Sequence, residues 1–233
     1  MELEEKLKEE VVKGLVNHAL DQVRMRYGSG EYGVESKKRY HNEKHSKLVI
    51  EEAKQLGVKA LENGKIKTEE LPLLIIAAAY HDLEQDMGSG ENERISAKAA
   101  VEMMTNSKLF TLEEIKTVET VILSTEVSFA TGVMEQPFTT VNYMTQLIAD
   151  ADLANLGQET SEFWRCTNLL MKEVFNTDEL TTANEAKFLP GSESLLTNHK
   201  YFTEEARVKY PHQSENLKEV QDKLLKLKPS VLV

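Results

Sequence analysis

The chain is predicted to be all-α and to fold as one domain. Three observations carry that prediction: apolar residues recur three and four apart along most of the chain, no stretch of apolar–polar alternation marks a strand, and no repeat or linker divides the 233 residues. Hydrophobic residues make up 40% and charged residues 29%, an ordinary globular balance that at this length can bury a substantial core.

The elements follow in order. Val12, Leu15, Val16, Ala19, Leu20 and Val23 share a face, with Lys13, Asn17 and Asp21 between them, so an amphipathic helix opens the chain and ends at the GSGEYG stretch, 28–33. A second helix is predicted from Tyr40 to Leu56, with Glu62, Asn63 and Gly64 as a turn. Thr68 is a predicted N-cap, and Glu69 and Glu70 suit the positive end of the helix dipole. The helix it opens, LPLLIIAAAYHD, is apolar on every face and must be buried. Gly88, Ser89 and Gly90 end that region, and a helix from Asn92 to Thr105 comes next. Thr111 and Glu114 have the spacing of a capping box ahead of another helix. Residues 126–139, with Gly132 and Pro137, read as loop; helices from Thr140 to Leu153 and from Ser161 to Phe175 follow, and two or three shorter ones complete the chain.

Composition excludes several classes. A formal net charge of −11 argues against binding to a nucleic-acid backbone or an anionic membrane. A phosphorylated ligand would need local positive charge, which a bound cation can provide. Cys166 is the single cysteine, so neither an internal disulfide nor a thiolate zinc site can form, and it reads as a packed apolar residue. The N-terminus, MELEEKLKEE, is no secretory signal, and the longest apolar run, Leu71 to Tyr80, is too short to span a bilayer. A soluble, cytoplasmic protein is expected, with no nucleic-acid or membrane partner; a homodimer is compatible with the sequence.

Three segments carry candidate chemistry. His81 and Asp82 end the buried apolar helix, where an ionised carboxylate costs several kcal/mol unless paired or bound to metal. An aspartate bonded to a helix end beside a neutral core histidine is the alternative. His41 and His45, four apart, would share one face of a helix at roughly 6 Å, a metal or acid–base pair or else two solvated histidines. Asp150 and Asp152 lie in the apolar stretch LIADADLANLG, and Asp150 is expected to be the one that faces solvent or supports from behind. Nitrogen and oxygen donors without sulfur suit zinc, manganese, iron or magnesium. Adjacent helical residues diverge by about 100°, so His81 and Asp82 can both reach an ion in a groove between helices.

The order His, His-Asp, Asp on helices resembles the HD superfamily of metal-dependent phosphohydrolases. Tyr40-His41-Asn42-x-x-His45 resembles the first signature of the class I cyclic-nucleotide phosphodiesterases, Ile122-Leu-Ser-Thr-Glu126 their I-L-A-T-D segment, and Ala151-Asp152-Leu153-x-Asn155 their A-D-L-x-N. Asn92-Glu93-Arg94-x-Ser96-Ala97 is similar to a group of predicted bacterial HD phosphohydrolases. The resemblance covers about residues 38–157, continues weakly through Phe188-Leu189 and from His199 to Asn216, and is absent from the first thirty residues. It implies a single HD-type helical bundle with a buried metal site, in which an N-terminal helix, 1–27, and C-terminal helices, 158–233, pack on the core.

The resemblance implies His45, His81, Asp82 and Asp152 as metal ligands, His41 as general acid and a metal-bound hydroxide as nucleophile. The bound group would be a divalent ion (Mn, Mg, Zn or Fe), with a weaker second ion bridged by Asp82. Glu126 stands where those enzymes have an aspartate and is carried as catalytic. Arg94 and Lys44 are candidates for gripping phosphate, with surface pairing to Glu91 or Glu93 as the alternative for Arg94. Gln85 stands where other HD nucleotidases have a glutamate, flanked by Glu84 and Asp86. The segment FLPGSESLLTNH holds no counterpart of the phosphodiesterases' purine-holding glutamine. No histidine lies between His81 and Asp152, which disfavours a His-rich di-iron oxygenase. His18, His199 and His212 read as structural or exposed, and Met103 and Met104 as core.

The expected function is metal-dependent hydrolysis of a phosphate mono- or diester in a small nucleotide-like molecule. The rival is a catalytically silent HD domain that binds a nucleotide as a sensor; a third reading, a helical interaction module, predicts no metal.

Overall fold

A computed structural model describes residues 2–30, 37–128, 136 and 141–227. Among these the chain is helical throughout, without strands: α1 (Glu2–Tyr27), α2 (Glu43–Glu62), α3 (Glu70–Tyr80), α4 (Glu91–Ser107), α5 (Leu112–Leu123), α6 (Tyr143–Asp152), a 3-10 turn (Ala154–Gly157), α7 (Thr160–Val174), α8 (Thr182–Asn198), α9 (Glu204–Lys209) and α10 (Gln213–Leu227). The all-α, one-domain prediction holds.

The apolar helix is the axis of the bundle. Leu73, Leu74 and Ile76 to Tyr80 are all buried, and α3 packs against α1, α2, α4, α5 and α6. Each such leucine or isoleucine contributes on the order of 2 kcal/mol through burial. Gly57 lets α2 approach α3: a Cβ there would stand 2.6 Å from Leu71 Cδ1 and 3.0 Å from Leu74 Cδ2. A second apolar cluster, Leu156, Phe163, Met171, Leu189, Leu196 and Val220, lies among the 3-10 turn, α7, α8 and α10.

Caps shift several predicted boundaries. The second helix begins at Glu43 rather than Tyr40, because the Asn42 side chain accepts the amide hydrogens of Lys44 at 3.0 Å and His45 at 3.4 Å while its own backbone is extended. His41 therefore sits in the turn ahead of the helix, and the predicted shared helical face of His41 and His45 does not exist. Thr68 is not an N-cap: the Glu70 carboxylate accepts the Lys67 amide hydrogen at 2.6 Å, and the backbone is already helical at Glu69. Thr111 and Glu114 do form the reciprocal capping box. α6 starts after its cap, Asn142. Gly132 and Pro137 of the predicted loop lie outside the described residues. Of the C-terminal helices, α8 with 17 residues and α10 with 15 are not short; the internal Pro190 disguises α8, whose Leu189 and Leu196 are nonetheless buried.

Asp150 ties α6 to the C-terminal segment instead of facing solvent. It is fully buried, and its carboxylate accepts hydrogen bonds from the amides of Phe202 and Thr203 and from the Thr203 hydroxyl. Cys166 is buried, as expected. Among the described residues no helix is long and apolar enough to cross a membrane.

His199, at the end of α8, gives the fold a pH dependence. It is buried, neither ring nitrogen has a hydrogen-bond partner, and burial pushes its pKa down to about 4. The unfolded chain takes up that proton near pH 6.5. The folded state therefore loses stability relative to the unfolded one as pH falls from about 6.5 to 4, by ~3 kcal/mol at most. Urea unfolding at pH 7 and pH 4.5 should show a smaller acid loss in His199→Phe than in the parent chain; equal losses would exclude the effect.

Candidate metal centre

Three helix ends meet in the core: the first turn of α2 brings His45, the residues directly after α3 are His81 and Asp82, and α6 ends on Asp152. The sequence signal for this convergence is the uniformly apolar α3, which can only deliver its C-terminal pair to the interior. His45 and His81 are buried, and the side chains of Asp82 and Asp152 are 12% and 17% exposed, so one side of the cluster opens outward.

His45 Nε2 stands 3.2 Å from Asp82 Oδ2 and 3.3 Å from Asp152 Oδ1; His81 Nε2 stands 3.3 Å and 3.4 Å from the same two atoms. Ligand atoms of His45, His81 and Asp152 all lie within 4.8 Å of one another. Despite these short separations, His45 Nε2, His81 Nε2 and Asp82 Oδ2 are buried with no partner in hydrogen-bond geometry. The atoms crowd together without hydrogen-bonding one another. Buried polar atoms left this way are costly unless something occupies the centre.

The donor chemistry fits a divalent cation. His81 Nδ1 donates to the Ala78 carbonyl at 2.8 Å, which leaves the Nε2 lone pair for an ion and locks the ring's orientation. Burial by itself would discharge all four groups, yet their mutual approach outweighs it. The facing carboxylates raise His45 to about 9 and His81 well above its ordinary value, while the histidines hold Asp82 well below the carboxylate range and Asp152 near 2. The carboxylates thus favour protonated imidazoles, and a dication binding here would compete with those protons and should release them. His45, His81, Asp82 and Asp152 could hold a metal ion.

His41 stands beside this cluster, its ring centroid 5.6 Å from that of His45. Its Nδ1 donates to Glu173 Oε1 at 2.6 Å, and Glu173 Oε2 accepts the amide hydrogens of Tyr40 at 2.8 Å and His41 at 3.0 Å. Although burial opposes ionisation of Glu173, these donors hold its carboxyl near 2. Glu173 was not legible in the sequence: on α7 it reads as one more acid beside Lys172.

A cavity of about 280 Å³ opens over the cluster. His41, Asp82, Gln85 and Asp152 line its polar side, and Leu153, Leu156, Leu170 and Leu195 its apolar side. Leu170 and Leu195 come from α7 and α8, outside residues 38–157, where the resemblance was strongest. A larger groove of about 620 Å³ between α2 and α9, lined by Lys54, Val58, Val208 and Lys209, holds none of the converging histidines.

The remaining predicted residues stand apart. Arg94 is exposed and pairs with Glu91 and the Gly90 carbonyl, outside the cavity lining. Lys44 is exposed on α2 and does not line the cavity either. Glu126 packs beside Gly90, whose Cβ, were there one, would meet Glu126 Oε1 at 3.3 Å; its neighbours Thr125 and Val127 line the cavity, and Glu126 does not. Glu84 pairs with Arg26 and Tyr27, and Asp86 with Lys38, so neither flanking acid replaces Gln85. His18 bonds the Tyr80 hydroxyl, His212 pairs with Glu215 and Glu159, and Met104 is core.

A scan against protein-family models finds no match, and a comparison with curated proteins finds none.

Proposed function

We propose that the protein is a metal-dependent phosphohydrolase of HD type that cleaves a phosphate mono- or diester in a small nucleotide-like molecule. The observation that carries this reading is the meeting of His45, His81, Asp82 and Asp152 at one side of a cavity on which Glu173 fixes a fifth residue, His41. His45, His81, Asp82 and Asp152 would hold the ion; manganese, magnesium, zinc and iron all suit the donors. When bound, a divalent ion supplies an acidified water and neutralises phosphoryl oxygens.

The chain's own residues account for the rest. With Nδ1 donated to Glu173, His41 has Nε2 free to give a proton to a leaving oxygen. No lysine or arginine lines the cavity among the described residues, so phosphate charge must be met by the ion and by His41 rather than by a basic clamp. Leu153, Leu156, Leu170 and Leu195 provide an apolar wall for the organic part of a substrate.

Elemental analysis of the purified chain, followed by a panel of phosphate esters with added Mn²⁺ or Mg²⁺, tests the reading. Bound divalent metal and metal-dependent turnover of at least one ester are expected. Metal with no turnover across the panel would favour the nucleotide-binding sensor, and absence of metal affinity would remove both.

A further inference from the structure

We propose that Gln85 restricts the centre to a single ion by occupying the Asp82 oxygen that a second ion would need. The inference rests on the metal-binding reading above. The two oxygens of Asp82 have different surroundings. Oδ2 faces both imidazoles and has no hydrogen-bond donor. Oδ1 accepts the Gln85 Nε2 hydrogen at 2.7 Å. A carboxylate that bridges two cations gives one oxygen to each, and here the outer oxygen already has a donor. The amide can present only its NH₂ to Oδ1, because two acceptor oxygens at that distance would repel.

Gln85 is held in place by three parts of the chain. Its backbone N–H is shared between the Tyr27 hydroxyl at 2.9 Å and Glu84 Oε1 at 3.1 Å, and its backbone carbonyl accepts from Lys38 Nζ at 3.0 Å. Tyr27 is buried at the end of α1 and donates its own hydroxyl hydrogen to Glu84. The N-terminal helix thus buttresses the loop after α3 and holds the backbone from which the Gln85 side chain reaches Asp82. A positive amide edge stands where a second ion would want a carboxylate. The other acid on that wall, Glu93, accepts the Gly90 amide hydrogen at 2.6 Å. A glutamate at position 85 would remove the donor and add the missing anionic ligand together.

Titration of the full-length chain with Mn²⁺, read by calorimetry and electron paramagnetic resonance, tests this. The parent chain should bind one Mn²⁺ with an isolated-ion spectrum. Gln85→Glu should bind two with an exchange-coupled spectrum, and its second-site affinity should exceed the parent's by at least about tenfold, the scale on which outer partners change metal affinity. Gln85→Ala, which removes the donor without adding charge, should show a second, weaker ion and keeps the test available should the glutamate variant fail to fold. Two ions in the parent, or one in both variants, would overturn the proposal and leave the metal centre standing. No Mn²⁺ bound by the parent would overturn the centre itself.

Discussion

Asp82→Ala and His81→Ala should each eliminate tight binding of a divalent ion and, with it, metal-dependent ester hydrolysis. Each removes one of four converging donors, and Asp82 contributes the oxygen closest to both imidazoles. The loss should exceed the roughly 10–100-fold that removal of an outer partner costs. In metal-free protein the same changes leave buried partners without counter-charge, so a stability loss of about 3–5 kcal/mol accompanies them. Asp82→Asn keeps the side-chain volume and can still accept from Gln85 Nε2. It should therefore avoid the cavity cost of alanine, though not the lost counter-charge, and unfold between alanine and the parent while remaining metal-poor. Metal per chain by elemental analysis and thermal unfolding by circular dichroism read both quantities. Parent-like metal content and rate in Asp82→Ala would defeat the assignment.

Which parts of this site the sequence reveals depends on how local the cause is. α3 is legible because its burial follows from composition, and its burial delivers His81 and Asp82 to the interior whatever the rest of the chain does. The Thr111–Glu114 box is legible because its partners are three residues apart. His41 was placed on a helix because periodicity does not register that the Asn42 side chain captures the first free amide hydrogens and starts α2 later. Glu173 and the Gln85–Asp82 bond were invisible for a different reason. The Glu173 contact joins residues 132 apart, and the Gln85 contact depends on a loop conformation set by Tyr27 from α1. Arg94 shows the converse: its charge allowed either a phosphate grip or a surface pair, and the pair with Glu91, one turn earlier, is the one formed.

The second large effect concerns proton delivery. His41→Ala should keep its metal and lose roughly 10²–10⁴-fold in kcat, the range of a general acid. The leaving group decides whether that loss reflects proton donation. An alkyl or ribosyl oxygen departs poorly as an anion and needs the proton, whereas p-nitrophenolate does not, so the deficit should shrink markedly on a p-nitrophenyl ester. Glu173→Gln should show the same leaving-group pattern with a smaller deficit, since the amide still accepts from Nδ1 but no longer offers a negative charge to the ring. Because Glu173 stays ionised down to about pH 2, this tether operates throughout any practical assay range. An equal deficit on both esters would mean that His41 shapes the pocket rather than donating a proton. Loss of metal in His41→Ala would instead place it among the ligands, with His45, His81 and Asp152.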